Sequence, residues 1–338
     1  MNKQIFALKG TICYSNSLTE LSITENGYLV CEDGRCAGVF DELPEKFAGI
    51  SCTDFGDELI IPGLTDLHLH APQYTFRASG MDLELLDWLN TYTFPQEARY
   101  EDTEFAKEAY SIFAEDMKKS PNTRACIFGT LHVPATEILM EQLDKTGIKA
   151  MVGKVNMDRN GSPQLQEESA QVSADATVQW IEDTLDKFEN VKPILTPRFT
   201  PSCSDALMEK LSEIQKKENM AVLFISHDLS VVEHISDRVY VMYLGKAVES
   251  GDKKDIFSDP KHQYTKALLA SRPRETPWEK SCEITLKGEL PNALNIPDGC
   301  RFWPRCVKYK DGLCNKYEPK TTISGNGHMA ACHLVETF

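Results

Sequence analysis

The 338-residue sequence has no apolar run approaching the roughly 20 residues that would span a bilayer. Its opening residues, MNKQIFALKG, carry one early lysine but no sustained apolar region of the kind a secretion signal needs. A cytoplasmic protein without a transmembrane segment is expected. A basic excess is also missing: 36 Lys and Arg against 51 Asp and Glu give a formal charge of -15. That balance disfavours nucleic acid and anionic membrane, both of which reward a basic face. The sequence has no internal repeat, no low-complexity segment and no G-x-x-x-x-G-K-[ST] phosphate loop.

What is present suits a globular protein. The length allows about two domains, and 41% hydrophobic residues can build a core. Eleven cysteines without a secretion signal point to reduced thiols or metal ligands rather than disulfides. The charge is unevenly spread. Residues 1–222 hold 20 Lys and Arg against 36 Asp and Glu, or -16, whereas residues 223–338 hold 16 against 15, or +1.

Residues 1–58 contain short β-rich segments such as GYLVCEDGRCAGVF broken by Gly, Asp and Pro, which predicts a small β domain. After it, ELIIPGLTDLHLHA, TRACIFGTLHV, KAMVGKVNMD and KPILTPRFTPSC are apolar runs with polar or small ends. They are separated by helical stretches such as DTEFAKEAYSIFAEDMKKS and ADATVQWIEDTLDKF. This βα alternation requires a parallel sheet covered by helices, and AVLFISHDL would be its fifth strand. There the alternation stops. DRVYVMYLGKAVESG predicts two short strands around Leu-Gly-Lys, KDIFSDPKHQYTKALLAS a helix, and a Pro-, Gly- and Cys-rich tail follows.

His68 and His70 lie two apart at the end of a predicted strand, so both side chains leave one face and can share a metal ion. By spacing alone the pair is equally compatible with two core or surface imidazoles. PGLTDLHLHAPQY, LLDWLNTYTFPQEARY, GTLHVPATEILMEQLDKTGIKAMVGKVNMDRN and VKPILTPRFTPSCSDALM together resemble guanine deaminase, of the amidohydrolase superfamily, up to about residue 222. The resemblance implies that His68 and His70 are zinc ligands and that Gln73, Arg198 and Phe199 recognise guanine or a related purine. An amide can donate and accept at the purine edge, a guanidinium can donate to a carbonyl oxygen, and an aromatic ring can stack. Outside the resemblance, Gln73 could cap a loop, Arg198 could pair with an acid, and Phe199 could be core. The implied reaction converts guanine and water to xanthine and ammonia, with a metal-activated water as nucleophile and a carboxylic acid as proton shuttle. The family takes that acid from a His-x-x-Glu motif. Position 230, three after His227, is Ser, so deamination by this chain is not expected.

His227 has two candidate roles. As a zinc ligand it stands about two residues too far from TPRF, a displacement of about 6 to 7 Å along a strand, against metal bonds near 2 Å. The stretch LFISHDLSVVEHISDRVYVMYLGKAVESG resembles the final strand and hairpin of an oligopeptide or dipeptide ABC-transporter ATP-binding protein, in which the same histidine senses the nucleotide. DPKHQYTKALLAS and LKGELPNALNIPDGCRFWPRC resemble the C-terminal extension of that family. Its cysteines, Cys300, Cys306, Cys314 and Cys332, could hold an iron–sulfur cluster or zinc, with Cys282 and His333 as substitutes, or could be four reduced thiols. Neither an LSGGQ-like signature nor an apolar strand ending in Asp-Glu occurs, so ATP hydrolysis is not expected.

The expected fold class is α/β. It consists of an incomplete (β/α)8 barrel (59–222) after the β domain (1–58), then a fragment of an ABC ATPase domain (223–270) and the Cys-rich extension (271–338). Such a chain looks like a chimera. Its implied function is that of a guanine-deaminase-like zinc hydrolase. The alternatives are a transporter ATP-binding fragment that docks at the membrane on transporter subunits, or a non-enzymatic fusion product.

Overall fold

The computed structural model describes residues 4–17, 20–198, 200–223, 225, 229–271, 286, 288, 291 and 295–335. The chain divides into two compact units, Met1–Tyr14 with Ile23–Ala221, and Ser15–Ser22 with Val222–Phe338.

In the first unit, β1 (Ile5–Ser15), β2 (Leu21–Glu32), β3 (Arg35–Phe40) and β4 (Ser51–Ile60) form one sheet in the order β3-β2-β1-β4. Asp33 and Gly34 turn β2 into β3 with φ of 49° and 75°, the paired positive values of a two-residue hairpin turn that Asp-Gly adopts readily. Ala7, Val30 and Phe47 make the small core beneath.

A second sheet follows, with β5 (Leu64–His70), β6 (Asn122–Phe128), β7 (Lys149–Asn156) and β8 (Val191–Pro197) in sequential order and parallel throughout. These strands fall on the four apolar runs. Between β5 and β6 come α1 (Leu85–Trp88), a π-helical turn (Leu89–Thr93), α2 (Phe94–Ala98) and α3 (Thr103–Lys119). Then α4 (Val133–Asp144), α5 (Ala170–Thr184) and α6 (Asp205–Lys217) each follow a strand. Asp102, Ser169 and Ser204 cap α3, α5 and α6 by accepting from backbone N–H groups of the first turn. Along α3, Ala106, Ala109, Tyr110, Phe113, Ala114 and Met117 recur at helical spacing and are all buried. They join Ile127, Val152, Val191, Leu139, Leu143 and Trp180 in the main core.

The fifth strand expected over AVLFISHDL is not formed by the described residues. Ala221 to Leu223 and Ile225 carry no regular structure, and Leu229 already opens a helix. Phe224 and residues 226–228 of this stretch lie outside the described residues.

The second unit contains α7 (Leu229–Ile235) and the hairpin β9 (Arg238–Tyr243) and β10 (Lys246–Asp252). Leu244 and Gly245, at φ of 45° and 75°, make its two-residue turn. Val239, Val241 and Tyr243 alternate inward. The single helix expected over 254–271 is two, α8 (Lys253–Ser258) and α9 (Gln263–Ala270). Pro260 lacks an N–H and drives Asp259 out of helical geometry, which ends α8. The strand β11 (Thr321–Ile323) pairs with β12 (Met329–Ala331), and β12 with β10, so that the tail completes an antiparallel sheet.

Candidate functional site

The first unit gathers its polar side chains at the C-terminal ends of β5, β7 and β8. His68 and His70 end β5, with ring centroids 5.2 Å apart and planes at 80°. Phe128, at the end of β6, stacks on His70 at 4.5 Å and meets His68 edge-on at 5.1 Å. His68 is exposed, whereas His70 is partly buried and its Nδ1 has no hydrogen-bond partner. Burial first, then the charges of Arg198 and His68, push the His70 imidazole down to about 3, so it is neutral at physiological pH.

A 3-10 segment, Ala71–Phe76, continues from β5 and carries Gln73. Tyr100 fixes this segment by donating its hydroxyl to the Pro72 carbonyl at 3.2 Å. Arg198 directly follows β8, and its backbone N–H donates to the Asn156 carbonyl at the end of β7, 3.2 Å away. The two side chains meet on Glu97, in α2. Gln73 Nε2 donates to Glu97 Oε1 at 3.1 Å, Arg198 Nη2 donates to the same oxygen at 3.0 Å, and Arg198 Nη1 pairs with Glu97 Oε2. The side chains of Arg198 and Glu97 are only 5% and 2% exposed, and the guanidinium carbon lies 5.3 Å from the centre of the Phe94 ring. Two buried charges in forked contact neutralise each other, a requirement for holding either one away from water.

Of the residues singled out in the sequence, the structure therefore brings Gln73 and Arg198 together and sets His70 near Arg198. Glu97 escaped attention, as did Phe128. The signal for Glu97 was a carboxylate embedded in the aromatic-rich stretch TYTFPQEARY, where burial demands a partner. Phe199 and His227 lie outside the described residues, as does Cys282. A cleft of about 250 Å3 beside Phe94 and Ala98, lined also by Asn160, Ser162 and Gln164, is bordered by none of His68, His70, Gln73 and Arg198.

Behind the site, Lys154 of β7 is buried and paired with Glu167, which also accepts the Met157 N–H at 3.0 Å. Burial pulls the Lys154 ammonium below the usual lysine range, against the raising effect of Glu167.

The His68–His70 pair fits two donors of a zinc ion. Rings sharing a tetrahedral ion with bonds of about 2 Å have centroids about 5 Å apart, and His70 keeps an unpartnered ring nitrogen. Among the described residues no group of three or more His, Cys, Asp or Glu side chains is placed to hold a metal ion. This applies to Cys300, Cys306, Cys314 and Cys332 in the second unit, so an iron–sulfur cluster there is not supported. Cys306, Cys314 and Cys332 are buried. Desolvation raises Cys306 and Cys332 and pushes the Cys300 thiol up to about 11. His333 Nε2 donates to the Tyr317 carbonyl, 2.8 Å away.

The polar strand-end site follows a run of sequence whose kinship is specific. Residues 59–230 match the Amidohydrolase family. The chain belongs to the amidohydrolase family. A guanine deaminase from Rattus norvegicus is 39% identical over 216 residues, 63% of this chain and 46% of the rat protein. A solved guanine deaminase from C. acetobutylicum, with guanine bound in its active site, superposes with a TM-score of 0.61 at 41% identity, covering 64% of this chain and 52% of that one. The later part of the amidohydrolase chain has a different kinship. Residues 248–314 match the family described as Oligopeptide/dipeptide transporter, C-terminal region. The dipeptide transport ATP-binding protein DppF of Escherichia coli is 45% identical over 130 residues, 38% of each chain. The chain thus spans about half or less of the length of the relatives it matches, and joins parts of two families. No helix among the described residues is long and apolar enough to cross a membrane.

Proposed function

We propose that the amidohydrolase part binds guanine or a related purine, with zinc held by His68 and His70, and that this chain does not complete the deamination. The observation that carries this reading is the convergence of Gln73 and Arg198 on Glu97, at the same strand ends that bear the two histidines. Zinc, when bound, would lower the pKa of water and polarise the substrate. Arg198 would donate to the purine carbonyl oxygen, the Gln73 amide would pair with the ring edge, and Phe199 would stack on the base. Three residues after His227 the sequence carries Ser230 in place of the glutamate of a His-x-x-Glu motif, and a serine hydroxyl does not exchange protons near neutral pH as a tuned carboxyl does.

The barrel reading is that of a half. Among the described residues the sheet order leaves β5 and β8 as parallel edge strands, and Leu67 and Met151 are about half exposed, at 51% and 49%. We place the join beside Val222, which the division of the structure after Ala221 supports. A second reading, a peptide-transporter ATP-binding fragment that docks on membrane subunits, is favoured by the 45% identity to DppF. ATP hydrolysis is not part of it, because the chain has no phosphate loop. Equilibrium dialysis of the purified chain against labelled guanine tests the first reading. Binding that Q73L weakens is expected, and no binding by the unaltered chain would sink it.

A further inference from the structure

Glu97 decides which hydrogen-bonding groups the site can offer. A carboxylate accepts and cannot donate, so its 3.1 Å contact with Gln73 must use the Gln73 NH2 group. The Gln73 amide is thereby fixed, with its Oε1 directed elsewhere as a free acceptor. On Arg198, Glu97 occupies one N–H on each of Nη1 and Nη2, which leaves Nε–H and the outer Nη hydrogens as donors. Gln73 and Arg198 share one oxygen, Glu97 Oε1, so these remaining groups belong to neighbouring side chains.

We infer that Glu97 is the positioning residue that sets base specificity, by holding an acceptor from Gln73 beside a donor from Arg198. The inference rests on the purine-site reading above. The complementary ligand edge is a lactam, a carbonyl next to a ring N–H, as in guanine. Adenine presents the reverse pattern, an amino group next to an unprotonated ring nitrogen, which sets donor against donor and acceptor against acceptor. Were residue 97 able to donate, the Gln73 amide could turn over and donate to the adenine ring nitrogen, which removes one of the two mismatches and leaves the one at Arg198. The local sequence marks Glu97 as a carboxylate in need of a partner but does not name that partner, because the guanidinium is 101 residues away.

The test measures dissociation constants of labelled guanine and labelled adenine for the full chain, for E97Q and for E97D. E97Q can donate to Gln73 Oε1. E97D keeps the charge that compensates Arg198, which protects folding, but its shorter side chain cannot reach both partners. The unaltered chain is expected to prefer guanine by about 100-fold or more, and both variants to reduce the preference to about tenfold or less. A purely structural role would weaken both bases by the same factor, so an unchanged ratio in a chain that binds guanine overturns the inference alone. Failure of the unaltered chain to bind either base overturns the purine-site reading and the specificity claim with it.

Discussion

The buried pair Lys154–Glu167 gives a stability prediction whose size follows from the structure. The two side chains are 1% and 8% exposed, and Lys154 Nζ has one further acceptor, the Val155 carbonyl at 3.1 Å. E167Q removes the compensating charge but keeps an oxygen for the Met157 N–H. Breaking a buried pair on one side costs about 3–5 kcal/mol. Lysine can limit that cost by releasing its proton, at about 1.36 kcal/mol for each pH unit below its unfolded value near 10.4. The ceiling is therefore about 4.6 kcal/mol at pH 7 and about 1.9 kcal/mol at pH 9. The sign follows from linkage: burial depresses the folded lysine, the unfolded chain binds the extra proton, and stability rises with pH across that window. E167Q should thus be about 3–4 kcal/mol less stable than the unaltered chain at pH 7 and should recover much of the loss by pH 9. K154M/E167Q should return to within about 1–2 kcal/mol at both pH values, since no charge is left to bury. The assay is urea unfolding followed by tryptophan fluorescence, using the transition that W180F abolishes, because Trp180 is 1% exposed in the same core. A loss below about 1 kcal/mol at pH 7, an equal loss at both pH values, or additive single and double variants would refute this electrostatic account.

Other consequences are as direct. Zinc bound after dialysis against the metal and measured by elemental analysis should fall in H68A and H70A and be unchanged in C300S/C314S; zinc that follows the cysteines would reverse the assignment. His262 is buried, held down to about 4 by desolvation, and its Nδ1 accepts the Tyr264 N–H at 3.0 Å. The unfolded chain therefore binds the extra proton between pH 6.5 and 4, and the second unit should lose up to about 3 kcal/mol as pH falls through that window. H262N, which keeps an acceptor for the helix cap, should flatten this dependence in acid titrations read by circular dichroism, and an unchanged slope would contradict it. The raised thiols Cys300, Cys306 and Cys332 should react slowly with a disulfide reagent at pH 8, after the exposed Cys36 and Cys52; rapid labelling of the tail would disagree.

Much of the front unit was legible because each strand is an apolar run and each covering helix has helical spacing with a cap, as Asp102 and the buried stripe of α3 illustrate. His68, His70, Gln73 and Arg198 could be named from the resemblance, but their grouping could not. The group is organised by Glu97, whose partners lie 24 and 101 residues away, beyond any local pattern. The expected fifth strand is a different case: Phe224 and residues 226–228 of AVLFISHDL lie outside the described residues. Pro260 offered a visible break in the long C-terminal helix, and the structure obeys it.

The proposed function has this chain keep a guanine site and lack the means to turn guanine over. One measurement tests it most directly: the purified full chain, loaded with zinc and mixed with guanine, assayed for bound guanine and released xanthine in the same sample. The predicted result is guanine binding that Q73L weakens, with xanthine no higher than in a protein-free control. Xanthine production that depends on zinc and is abolished in H68A would contradict it.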